Sequence, residues 1–331
     1  MSDAELIRRA VLQGLALDRT PGWSFTGHFQ NLQWPVIGAD SMTVTLPVGP
    51  HIEDADGNLH LTALLVLFDA ALASPTRQRV QSGTRLATTH INVQFTGVRA
   101  AGDARVEARN VGAAQAGALP QLLAHGTLLC GGGIVMSGNG AFVQIAPPPG
   151  VREMAPLPWQ RSGAADPPPL AVEQLDAREL EVLAACDAAL AACGARASSA
   201  TQHSITPHSG RLSFLDHFWG IKPERTADGV QCVAQCVAQC VVKTGPQMAN
   251  RVGHVQGGIL MGMAAATARC AVPNHPVLSN LSAWFTAPGR GETLLVKSWP
   301  VHRGRNFAVV RTEITGENGA RVLEATSAHA A

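Results

Sequence analysis

Apolar and polar positions alternate along the chain in stretches that change period several times. Across residues 3–17, Leu6, Ala10 and Leu17, with Ile7 and Val11, form one stripe at helical spacing. Residues 24–46 read as short strands, broken at Pro35 and Gly38. Residues 61–73 predict a helix, because Leu61, Leu64, Leu65, Phe68 and Leu72 keep the spacing of a buried face. Four strand-like stretches follow, near 86–96, 103–111, 119–130 and 134–145.

Prolines then crowd residues 146–170, which reads as a linker, and 172–193 predicts an Ala-, Leu- and Glu-rich helix. Residues 198–210 are polar. The run from 229 to 243 repeats every four residues, which fits a helix stripe. Its valines and the Gly-bearing flanks favour a long strand, with Cys232, Cys236 and Cys240 on one face. Residues 257–268 predict a small-residue helix, and strands follow near 278–286, 292–301, 307–315 and 321–328.

Both halves therefore run strand, one helix, then several antiparallel strands, which is α+β rather than βαβ. Phe95-Thr96, then Arg99 and Gly102, is mirrored by Phe285-Thr286, then Arg290 and Gly291. The order suggests one fold present twice. The expected organisation is an N-terminal helix at 1–20, a first unit at 21–146, a linker with a helix at 147–210, and a second unit at 211–331.

Composition narrows the function. The formal charge is +1, from 25 basic and 24 acidic residues in 331, which argues against a nucleic-acid partner. No uncharged apolar run is long enough to cross a membrane, so no membrane partner is expected. Seven cysteines and no secretory signal pattern suggest a reduced, cytoplasmic protein. The cysteines lack paired zinc spacing, and no dinucleotide or phosphate-loop motif occurs, so no metal or cofactor is expected.

One run carries chemistry. Asn250-Arg-Val-Gly-His-Val-Gln-Gly-Gly258, followed by the small-residue helix, resembles the Asn–x–x–Gly–x–x–His–Gly–Gly signature of hotdog-fold acyl-CoA thioesterases of the phenylacetyl-CoA thioesterase-like group. Phe285-Thr-Ala-Pro-Gly-Arg-Gly, Val301-His-Arg-Gly-Arg305, Arg311-Thr-Glu-Ile-Thr and Glu317-Asn-Gly resemble it too. The resemblance covers about 212–330, and 24–145 more faintly. It implies a tandem (double) hotdog, each half a curved antiparallel sheet around one helix. It also implies hydrolysis of an acyl-CoA substrate, with no cofactor, at sites between the halves. The pseudo-dimer could assemble further into a homo-oligomer.

The implied site combines backbone N–H groups at a Gly-Gly helix start and an Asn from one half with a carboxylate and a hydroxyl from the other. A helix N-terminus carries unpaired N–H groups and partial positive charge, suited to an oxyanion. Carried over, the carboxylate position is Ala265 in the second half and Asp69 in the first. The glycines are Gly257-Gly258 in the second half and Leu61-Thr62 in the first. The hydroxyl falls at Thr88, against Leu278. One site thus keeps Asp69, Thr88, Asn250 and Gly257 as catalytic candidates. The other would hold Asp54, Leu61, Ala265 and Leu278, and should be dead. Gln256, Gly258, Arg303 and Arg305 are substrate-binding candidates, the arginines for CoA phosphates.

Plainer roles stay open for each: a core-edge carboxylate for Asp69, helix packing for the glycines, a turn cap for Asn250, sheet packing for Thr88 and a solvated loop for His254. Two other functions also stay open: a hotdog enoyl-CoA hydratase or dehydratase, and a non-catalytic acyl-CoA-binding protein.

Overall fold

The computed structural model describes residues 1–20, 22, 24–81, 83–114, 120–147, 149–150, 154–160, 166–197, 212–226 and 237–331. The first half holds α1 (Asp3–Asp18), α2 (Phe25–Phe29), β1 (Gln33–Ile37), β2 (Ser41–Leu46) and α3 (Leu61–Arg77). Strands β3 (Arg85–Phe95), β4 (Ala104–Ala114), β5 (Gln121–Cys130) and β6 (Gly133–Ile145) complete it. Helix α4 (Ala177–Ala197) leads to α5 (Phe214–Phe218), β7 (Glu224–Arg225), β8 (Ala238–Lys243) and α6 (Gly257–Ala271). The chain ends in β9 (Val277–Phe285), β10 (Thr293–Arg303), β11 (Phe307–Gly316) and β12 (Arg321–Ala330).

Among the described residues these strands form one antiparallel sheet, ordered β1-β2-β4-β5-β6-β3-β9-β12-β11-β10-β8-β7. The order is equivalent from either edge, and the halves meet where β3 pairs with β9, from His90↔Trp284 to Gln94↔Asn280. Asn280 Nδ2 donates to the Val93 carbonyl at 3.1 Å, and the His90 and Trp284 rings stack at 4.9 Å across this seam.

Helix α3 is apolar nearly all round, with Leu65, Leu67, Phe68 and Leu72 fully buried, and a helix of that kind must be enclosed. It packs on β2, β4, β5 and β6, while α6 packs on the counterparts β8, β10, β11 and β12. The two helices cross closely. A Cβ on Gly258 would stand 2.4 Å from the Val66 Cα, and one on Gly262 would stand 2.3 Å from Thr62 Oγ1. Only glycine permits that approach.

Two local expectations change. Residues 24–46 begin with a helical turn, not a strand. In α2, Phe25 and Phe29 stack at 5.5 Å, a spacing that one helical turn supplies and an extended chain does not. The helix expected from 172 starts at Ala177, because Asp176 caps it: its Oδ1 accepts from the Glu179 N–H at 2.8 Å, and Glu179 Oε2 accepts from the Asp176 N–H at 2.9 Å. Strand β8 covers the end of the Val- and Cys-rich run, as expected for a strand there. Cys232 and Cys236 lie outside the described residues, as does the polar stretch 198–210.

Candidate active site

The loop before α6 is built from the bottom by Asn250. Its side-chain Oδ1 accepts from the Val252 and His254 N–H groups at 3.0 and 3.1 Å, while the Asn250 N–H donates to the His254 carbonyl. An isolated bridge, Ala249↔Val255, closes the turn. Thr26 of α2 braces it from the other half by donating toward the Gln247 and Ala249 carbonyls. Asn250 thus folds the turn that delivers Gln256 and Gly257, and it lines the cavity beside them.

Gln256 caps α6. Its Oε1 accepts from the Ile259 N–H at 3.2 Å, and its Nε2 donates to Asp69 Oδ2 at 2.8 Å. Thr88 donates from Oγ1 to Asp69 Oδ1 at 3.1 Å. Both carboxylate oxygens are therefore held, one from each half. Asp69 sits against the start of α6, where a Cβ on Gly257 would meet Oδ2 at 2.7 Å. Burial pushes the Asp69 carboxyl up to about 6, against the opposing pull of Thr88, the Gly258 N–H, Arg77 and Gln256. Among the described residues no acceptor is paired with the Gly257 N–H, which opens the first turn.

These groups line a cavity of about 390 Å³. Its wall mixes apolar and aromatic side chains, Val66, Leu86, Leu260, Trp159 and Phe285 among them, with a few polar ones. The site candidates divide on it. Asp69, Thr88, Asn250, Gln256 and Gly257 share the cavity. Gly258 instead serves the crossing with Val66, while its N–H reaches Asp69. Arg303 and Arg305 do not line the cavity. Arg303 donates to the Ala271 carbonyl at the far end of α6, which is roughly 20 Å long at 1.5 Å per residue. His254, for which a solvated loop role was weighed, is half-buried and lines the cavity.

The counterpart positions in the other half carry different groups. Asp54 folds an equivalent turn, with Oδ1 accepting from the Asp56 and Asn58 N–H groups at 2.9 Å, and the bridge Glu53↔Leu59 closes it. His60 stands where Gln256 stands. Its Nδ1 accepts from the Thr62 N–H, and its Nε2 lies 3.1 Å from Asp216 Oδ1. Burial would raise the Asp216 carboxyl, but the donors His60 and Ser213 outweigh it and hold it below the usual range. Ala265 is buried and offers no carboxylate there.

Two features were missed from sequence. Ser24-Phe-Thr-Gly-His-Phe29 and Ser213-Phe-Leu-Asp-His-Phe218 are a repeated pattern that builds α2 and α5; α2 reaches the turn of the second half through Thr26, and α5 reaches His60 at the start of α3 through Asp216. Gly27 lines the cavity, whereas its counterpart Asp216 holds His60. The other feature is a set of arginines, Arg77, Arg85 and Arg251, on the cavity wall. No motif marked them.

Residues 246–330 match the acyl-CoA thioesterase N-terminal domain family. No curated protein matches the chain. Among solved structures, the 12:0-ACP thioesterase from Umbellularia californica is 10% identical, with 87% of this chain and 93% of that one covered at a TM-score of 0.50. A protein of Lactobacillus plantarum, provisionally described as an oleoyl thioesterase, is also 10% identical, with 88% and 97% covered at 0.51. At such identities the likeness is one of fold.

Proposed function

We propose, with the match of residues 246–330 to the acyl-CoA thioesterase domain family as the premise, that the protein hydrolyses acyl-CoA to free acid and CoA at one composite site between two hotdog halves. The observation that carries this reading is the seating of Asp69, from the first half, on the capping residue and first turn of α6, from the second.

The chemistry follows from those groups. The thioester carbonyl oxygen points at the Gly257 N–H, where the helix start stabilises the charge that grows on it. Asp69 acts as general base. With a pKa of about 6 it is mostly ionised near neutral pH, yet basic enough to take a proton from water. Water oxygen bonds to the carbonyl carbon as Asp69 accepts its proton. The C–S bond then breaks, and the thiolate leaves and takes up that proton. Thr88 and Gln256 hold both Asp69 oxygens, which favours proton transfer over direct attack by the carboxylate. The other composite site, which would pair Ala265 of the second half with Leu61 of the first, lacks base and glycine, and is the silent counterpart.

A free-thiol release assay over short, long, branched and aromatic acyl-CoAs tests the reading, with Asp69→Asn as control. Turnover lost in that variant while the fold persists is the expected result. Thiol release from Asp69→Asn at the wild-type rate overturns the composite site.

A further inference from the structure

Among the described residues the cavity wall carries three arginines and a single carboxylate, Asp69. Arg77 lies eight residues after Asp69 on the same helix, roughly 12 Å along its axis. Asp69, Ala70, Ala73, Ser74 and Arg77 all line the cavity, so it follows α3 from the carboxylate to the guanidinium. Arg77 has no ion-pair partner among the described residues, and its one hydrogen bond is a long 3.5 Å contact to the Leu86 carbonyl. Arg251 and Arg85 stand close enough to repel it, and burial with Arg251 pulls the guanidinium down to about 9 against the weaker opposing attraction of Asp69. A cation left unpaired in a partly buried wall is costly, and an entering anion relieves that cost. Arg77, Arg251 and Met154 also line a second cleft, so this end of the cavity leads on toward the surface.

The geometry points to Arg77, supported by Arg85 and Arg251, as the seat of an anionic group of the substrate, either a phosphate of CoA or a distal carboxylate on the acyl chain, held about two helical turns from Asp69. A planar guanidinium grips phosphate or carboxylate through two parallel hydrogen bonds. This inference deepens the thioesterase reading and rests on it.

The test compares Arg77→Gln and Arg77→Lys with wild type on matched substrates. One pair is an acyl-CoA and the same acyl group on N-acetylcysteamine, which has no phosphate. The other is the CoA thioesters of a monocarboxylic and a dicarboxylic acid of equal length. Arg77→Gln should raise KM at least about tenfold for the substrate bearing the anion, with kcat nearly constant and Arg77→Lys restoring part of the loss. A penalty that shrinks on the N-acetylcysteamine thioester assigns the phosphate, and one that appears only on the dicarboxylic chain assigns the carboxylate. An equal effect on all four substrates, or none, overturns the inference. Calorimetric titration of wild type and Arg77→Gln with CoA and with adipate separates this from the parent reading. If no thioester is cleaved, the thioesterase reading fails. Wild-type binding of either anion that weakens in Arg77→Gln still upholds the anion seat, and no wild-type binding of either overturns it.

Discussion

Gln256 and Asp69, from opposite halves of the chain, are joined by a 2.8 Å hydrogen bond from Nε2 to Oδ2. The same Gln256 side chain caps α6 through the Ile259 N–H. The position of the carboxylate is thus tied to the helix start it faces. Gln256→Ala should lower kcat and move the acidic limb of the kcat profile upward, because a donor to the charged form is lost. Cap loss should also cost about 1 kcal/mol of stability, visible in urea unfolding. An unmoved acidic limb would separate Gln256 from the base.

Asp69→Asn should lower kcat by about two to four orders of magnitude, the usual worth of a positioned base. Circular dichroism and thermal melting of the variant should show a retained fold.

The pH dependence follows from the same group. Activity should rise with pH through about 6 and level off above it, as Asp69 ionises. Stability runs the other way. The folded pKa is raised above the unfolded value, so the folded state binds the proton more tightly. That contribution is fully present below the unfolded pKa and is lost as pH rises through about 6. It amounts to an order-of-magnitude loss of 3 kcal/mol. Denaturant titrations from pH 3.5 to 8 should show the decline in wild type and a flatter profile in Asp69→Asn.

The adjacent glycines should separate in their effects. Gly257→Ala places a methyl 2.7 Å from Asp69 Oδ2 and should cut kcat at least about tenfold by displacing the carboxylate, with a modest change in Tm. Gly258→Ala forces the new methyl to within 2.4 Å of the Val66 backbone and should cost about 1–3 kcal/mol of stability. Parallel measurements of kcat and of unfolding free energy distinguish the two.

Asp69→Asn combined with Ala265→Asp should stay inactive. A carboxylate at 265 would face Leu61 and Thr62 in place of glycines, beside a His60 already engaged with Thr62 and Asp216. Recovered thiol release in the double variant would refute the silence of the second site.

Much of the secondary structure was legible because strands such as β2 and β11 alternate buried and more open positions, while α3 is a long, almost wholly apolar run. Residues 61–73 fall inside α3, and each later expected strand overlaps an observed one. Helix α2 was not legible. Phe25 and Phe29 share a face in a strand and in a helix alike, and packing of Phe29 on Phe218 at 5.4 Å, with a chain segment far along the sequence, accompanies the helical choice.

By itself the sequence determined the residue types that chemistry needs: a lone carboxylate on an apolar helix, a glycine-started helix preceded by Asn250, and a Thr-bearing strand. Tertiary structure alone decided which of these meet. The β3–β9 seam and the glycine crossing of α3 with α6 bring Asp69 to Gln256 and Gly257. They leave Arg303 at the opposite end of α6 and aim Arg77 into the same cavity. The reason is physical. Periodicity records whether a side chain is buried, whereas a site depends on what lies across the contact, and contacts between distant segments leave no periodic trace.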